Sequence, residues 1–168
     1  MNGSAARLAA HATRTLTLTV LLAAAAPATR ASAQTAEQDV VAVIEKFFAG
    51  MLARDTAMMR STFDPAARLL GIATPPGGQP TVRATTMDQF LASVANMQGE
   101  GADERIHQPE VRIDQDLATV WTFYTLHVGE RFLHCGIDSF QLLRIAGEWK
   151  IVSVADTRRT ENCEVPKG

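Results

Sequence analysis

The 168-residue sequence lacks several features that would each point to a function class. It has no run long enough to span a bilayer: the main apolar run, residues 16–26, is about half of the roughly 20 apolar residues required. It has no CxxC pair, no HExxH and no GxSxG, so thioredoxin-like redox chemistry, zincin hydrolysis and a nucleophile-elbow serine have no support. The one Gly-rich loop, Gly77-Gly78, follows two prolines and opens no convincing helix, so a phosphate cradle is unsupported. Positive charge is not in excess, with 16 basic against 18 acidic residues. That balance gives no electrostatic reason to bind nucleic acid or anionic lipid.

Acidic residues are also missing from residues 2–33. That segment carries Arg7, His11 and Arg14, then the apolar run, then Ala31-Ser32-Ala33 before Gln34. The order basic, apolar, small reads as an export signal over 1–33, cleaved near Ala33 and leaving a periplasmic or secreted protein. Removing 33 residues and three arginines leaves 135 residues with a net charge of −5, the size of one domain. No cysteine follows the cleavage site, which argues against a lipid anchor. With 46% hydrophobic and 20% charged residues, the remainder is expected to fold.

Two cysteines are present, Cys135 and Cys163, both in the exported part. An even count in an oxidising compartment predicts one disulfide, tying a C-terminal tail over 161–168 back to the domain; a reactive thiol is the alternative.

Hydrophobic spacing places helices first. Thr35 and Gln38 form a capping-box pattern ahead of Val40, Val43, Ile44, Phe47, Phe48 and Met51, predicting an amphipathic helix through Ala53. Asp55 or Thr56 can cap a short helix over 57–62. Short strands over 68–73 and 81–84 flank the Pro- and Gly-rich loop 74–80. Thr86 and Gln89 repeat the capping box before a third helix to about Met97. Beyond Arg105 the period becomes two, with strands over 104–113, 117–128, 131–145 and 148–156. Pro109 demotes the first of these to an edge or a bulged strand. Helices first and long antiparallel strands last is an α+β order.

The amphipathic first helix with Phe47-Phe48, and the closing stretch from Gly136-Ile137-Asp138 to Gly147-Glu148-Trp149-Lys150-Ile151, resemble the SnoaL-like branch of the nuclear transport factor 2-like superfamily. The resemblance covers roughly residues 37–159, within a domain over 34–160. It implies a cone-shaped fold in which a curved, mainly antiparallel sheet wraps three N-terminal helices around an apolar pocket. It also implies a homodimer through the outer sheet face. The superfamily holds isomerases, dehydratases, cyclases and non-catalytic members, so the fold does not choose among them.

Two-residue turns at Gly129-Glu130 and Ala146-Gly147 would pair Trp121 with Asp138 and Phe123 with Gly136. One sheet face would then carry Trp121, Phe123, Thr125, His134, Asp138, Phe140, Trp149 and Ile151, with Tyr124 on the other. A one-residue slip exchanges the two sets. Asp138 in an apolar strand is the candidate acid–base residue, since burial raises a carboxyl's pKa. The plainer reading is a buried acid bonded to a loop NH or an arginine. Trp121, Phe123, Phe140, Phe47 and Met51 are the candidate ligand-binding side chains. His134 lies roughly 13 Å from Asp138 along the strand and cannot pair with it there. His127 and His134 lack a third ligand, so no metal is expected, and no cofactor is implied. Asp156 with Arg158 or Arg159 is either a rim clamp for a carboxylate or a surface ion pair.

The leading expectation is therefore an exported domain that binds a small, partly apolar molecule in its cone. A cofactor-independent acid–base enzyme of isomerase, dehydratase or cyclase type using Asp138 is the alternative. A dimeric interaction module with a side-chain-filled cone is the third. Partners expected are a small molecule and a second copy, with no nucleic acid and no membrane span.

Overall fold

The structure, a computed structural model, describes residues 27–75 and 77–167, with side chains from Thr35 onward. The export signal expected over 1–33 falls largely outside these residues. The element order is α1 (Pro27–Ala53), α2 (Thr56–Ser61), β1 (Phe63–Ala73), β2 (Thr81–Thr86), α3 (Met87–Ala95), β3 (Ala102–Asp114), β4 (Leu117–Val128), β5 (Arg131–Ile145) and β6 (Glu148–Thr157). The six strands form one sheet in the order β2-β1-β6-β5-β4-β3. Only β1 and β6 run parallel; the remaining neighbours are antiparallel. This is the α+β fold of the nuclear transport factor 2-like superfamily.

Helix α1 buries Val40, Ile44, Phe47, Phe48 and Met51, the apolar stripe that its spacing announces. Among the described residues it is already helical at Pro27, so it runs through the cap expected at Thr35; the Ala- and Arg-containing residues ahead of Thr35 favour helix. The other two caps form as expected. The Asp55 side chain accepts from the Met58 amide at 2.9 Å. Thr86 and Gln89 bond reciprocally, at 3.3 and 3.0 Å.

Aromatic rings join helices to sheet. Phe47 meets Phe63 edge-on at 4.9 Å between centroids and Phe90 at 6.0 Å, while Phe48 meets Phe140 at 6.0 Å. Such pairs add to the area they bury and hold α1 across the concave face.

The bulge expected at Pro109 is present, on the edge strand β3, and two further bulges, in β5 and β6, were not expected. Gln108 and Pro109 together oppose the partner strand between the pairs His107↔Phe123 and Glu110↔Trp121, with Gln108 at φ 51°. The extra residue lets Glu104 and Ile106 before it, and Val111 and Ile113 after it, all face inward. Leu133 is unpaired between His127↔Phe132 and Leu126↔His134. Val152 is unpaired between Leu142↔Ile151 and Gln141↔Ser153.

The Leu133 bulge corrects the expected faces of β4. Asp138 pairs with Thr122, and Trp121 pairs with Ser139. Trp121 and Phe123 therefore stand on the outer face, and Tyr124 shares the inner face with Asp138. Trp121 is 54% exposed. Phe123 is buried beneath His107 and Arg159 on the outside, with the Arg159 guanidinium 5.6 Å from its ring centre.

The expected disulfide is present. Cys135 and Cys163 are bonded, with Cα atoms 5.7 Å apart. Beside it, Cys135 and Arg159 exchange two backbone hydrogen bonds of 2.9 Å, extending the β5–β6 pairing past Thr157.

Candidate functional site

A cavity of about 770 Å³ lies between the concave sheet face, α1 and α3. Its apolar wall includes Phe47, Phe48, Met51, Phe90, Leu126, Phe140 and Val154. Of the candidate ligand-binding residues, Phe47, Met51 and Phe140 line it, as does Asp138. Trp121 does not; it borders a shallow outer depression with Glu110, Arg112 and Ser139.

Polar groups converge on this cavity from four adjacent strands: Glu104 from β3, Tyr124 from β4, His134 and Asp138 from β5, and Asp156 from β6, with Arg158 just past its end. Asp138 is 1% exposed, its Oδ2 meets no donor among the described residues, and its carboxyl lies beside that of Glu104. Two carboxylates in contact repel, so the contact forms only when one of them carries a proton. The Asp138 carboxyl is the one pushed further toward holding it. Burial first, then the Glu104 charge and hydrogen bond, push its carboxyl well above the ordinary range. Glu104 is pushed up to about 7, chiefly by burial and less by Asp156, with the Asp138 hydrogen bond and Arg158 opposing.

Tyr124 settles the state of His134. Its hydroxyl donates to the Thr157 carbonyl at 2.9 Å and lies 3.1 Å from His134 Nδ1. A phenol has one proton, and the carbonyl can only accept. Nδ1 of His134 must therefore carry hydrogen and donate to Tyr124, leaving Nε2 bare. Burial and the Arg158 charge lower the His134 pKa, which favours this neutral ring. Burial, followed by the charges of Glu104, Asp156 and Asp138, raises the Tyr124 phenol far above its usual value.

Asp156 engages Arg158 through its Oδ2 at 2.7 Å from Nε, with Oδ1 at 3.4 Å from Nη2. This pair lines the cavity, whereas Arg159 points outward over Phe123.

The sequence reading placed His134 on the same face as Asp138, as the structure has it, and missed Glu104 and Tyr124. Alternation alone could have marked Glu104 and Tyr124 as sharing a face with Ile106 and Leu126, but not which face. His127 and His134 lie on opposite faces, because His127 pairs with Phe132 beyond the bulge. Among the described residues no set of three His, Cys, Asp or Glu is arranged to hold a metal ion.

Comparison with solved structures shows the same architecture. A nuclear transport factor 2-like protein of unknown function from Shewanella baltica superposes with a TM-score of 0.57 at 18% identity, covering 76% of this chain and 97% of its own. One from Pseudomonas putida gives 0.58 at 14% identity, covering 79% and 94%. At these identities the likeness is one of fold. No curated protein matches. A family model does, over residues 35–155, from α1 to the cavity-lining end of β6. The chain belongs to the family described as "Putative lumazine-binding".

Proposed function

We propose that this chain is an exported domain that binds a small, partly apolar molecule inside its cone. The observation that carries the reading is the cavity of about 770 Å³, apolar on one side and lined by ionisable groups on the other. Ligand pockets commonly have this volume and this division, the apolar wall supplying affinity and the few polar groups orientation. The family description supports the same class of ligand, since a lumazine is a flat fused heterocycle with polar edges. The disulfide fits an oxidising compartment, and no described helix is long and apolar enough to cross a membrane.

The experiment is native mass spectrometry of protein taken from its own compartment, followed by titration of the co-purifying molecule. A stoichiometric small molecule supports the reading, and Phe140→Ala weakens its binding. A bare protein that also fails to bind lumazine and simple bicyclic aromatics overturns it.

A second reading, an acid–base enzyme, is favoured by one observation: Glu104, near neutrality, touches buried Asp138. A general base works best with a pKa near the working pH. Asp138→Asn then abolishes turnover of any substrate found while leaving its affinity within a few-fold. A pure binder has no turnover to lose.

A further inference from the structure

The polar end of the cavity holds a buried carboxyl oxygen that no donor among the described residues reaches, and it points to a ligand class. The Tyr124 hydroxyl proton is committed to the Thr157 carbonyl, and the His134 Nδ1 proton to Tyr124. The Arg158 guanidinium gives two of its five N–H groups to Asp156, through Nε and Nη2, and is held beside that carboxylate. Opposite them stand acceptors: the carboxyl oxygens of Glu104 and Asp138, and Nε2 of a neutral His134. Asp138 Oδ2 is buried and meets no donor among the described residues.

Charge points the same way. The groups facing the carboxyl pair are Tyr124 from β4, His134 from β5, Asp156 from β6 and Arg158 just past its end; α1 presents Phe47, Phe48 and Met51, and α3 presents Phe90 with the uncharged Gln89 and Ser93. Asp156 and Arg158 cancel. Arg83 on β2 also lines the cavity but is exposed, and it is not among the charges acting on either carboxyl. With Asp138 protonated and Glu104 ionised, the pair carries one uncompensated negative charge in a poorly solvated place. An anionic ligand meets repulsion at the carboxyl pair. An ammonium brings donors and the missing charge together.

We propose that the cavity is built for an organic cation, a molecule with an aromatic or alicyclic body and a protonated amine or amidine head seated on Glu104 and Asp138. The inference rests on the cone being a ligand-binding cavity. It further implies that uptake of the cation drives a proton off Glu104, so binding tightens as the pH rises through neutrality.

The test is calorimetric titration of the folded, disulfide-bonded protein with three probes of one shape: naphthylmethylamine, naphthylmethanol and naphthoate. At about pH 8 the amine is expected to bind at least about tenfold tighter than the alcohol, and the acid more weakly than either. At about pH 6 the amine loses most of that advantage while the alcohol is unchanged. Titration in buffers of different ionisation enthalpy shows proton release with the amine alone. In Glu104→Gln/Asp138→Asn the amine binds no better than the alcohol. If the double variant does not fold, the ranking and its pH dependence on the unmodified protein decide. The alcohol binding as well as the amine, or the acid binding best, overturns the cation and leaves the cavity reading standing. Failure of all three probes overturns both.

Discussion

Glu104 and Asp138 hold their carboxyls together across a strand that separates their own. β4 lies between β3 and β5, and the residues are not level in it. Glu104 pairs with Leu126, whereas Asp138 pairs with Thr122. The contact is diagonal on the concave face, which no spacing in the sequence announces. It joins two carboxyls whose pKa values burial raises, that of Glu104 to about 7, and stability should report it.

The sign follows from linkage. Glu104 binds its proton more tightly in the folded chain, at about 7, than at the ordinary value of 4.5. Its contribution is therefore fully present below about 4.5 and is lost as the pH rises through about 7. Asp138, also raised, acts in the same direction. Glu104→Gln cannot titrate. The unfolding free energy of the unmodified protein, less that of Glu104→Gln, should fall by about 1–3 kcal/mol across this window, at most about 1.4 kcal/mol per pH unit. Urea denaturation at several pH values measures it. A flat or rising difference contradicts the contact.

Tyr124→Phe should cost about 1–3 kcal/mol in the same assay, because it strips a partner from the Thr157 carbonyl and from His134 Nδ1 at once. A neutral His134 protonated on Nδ1 is expected in the unmodified protein, visible in long-range proton–nitrogen correlation spectra. Protonation on Nε2 would break the chain of donors described here. Gly136 shows how tight this corner is. A Cβ there would lie 1.8 Å from the Thr157 carbonyl oxygen and 2.8 Å from the Tyr124 ring.

The helices and strands were legible because burial leaves a period in the sequence. Val40, Ile44, Phe47 and Met51 can only be one face of a helix, and the turns at Gly129-Glu130 and Ala146-Gly147 fall where glycine permits positive φ, +59° at Gly129 and +85° at Gly147. Leu133 and Val152 left no comparable mark. A bulged leucine or valine looks like any other strand residue, yet each one reverses every face beyond it. Asp138 could be singled out, since a lone acid in an apolar strand is unusual. Its neighbours could not, because Tyr124 was displaced to the wrong side by one uncounted residue.

That correction makes a direct prediction. Trp121→Ser should change stability by no more than about 0.5 kcal/mol, because the ring stands exposed on the outer face. Phe140→Ala, fully buried against Phe48, should cost about 3–5 kcal/mol. The register without bulges places both on one face and predicts similar losses. If a second copy covers the outer sheet face, as the resemblance implies, Trp121→Ser should also weaken self-association in light scattering without altering probe affinity.

The disulfide closes a separation of 28 residues, for which chain entropy gives about 3–4 kcal/mol. Its position gives it a second effect. The Cys135–Arg159 backbone pairing continues β6 just past Thr157, whose carbonyl receives the Tyr124 proton and whose hydroxyl accepts from the Ile137 amide at 3.0 Å. Arg158 lies between that pairing and Thr157. Cys135→Ala/Cys163→Ala should therefore lower the denaturation midpoint and also loosen the polar end of the cavity. Hydrogen exchange should rise first at Ile137 and Arg159, with the α1 amides near Ile44 protected until global unfolding. Thiol labelling of the native protein should find neither cysteine. Uniform loss of protection in the double variant would mean that the bridge acts on the unfolded chain alone and has no part in holding Asp156, Thr157 and Arg158 against Tyr124.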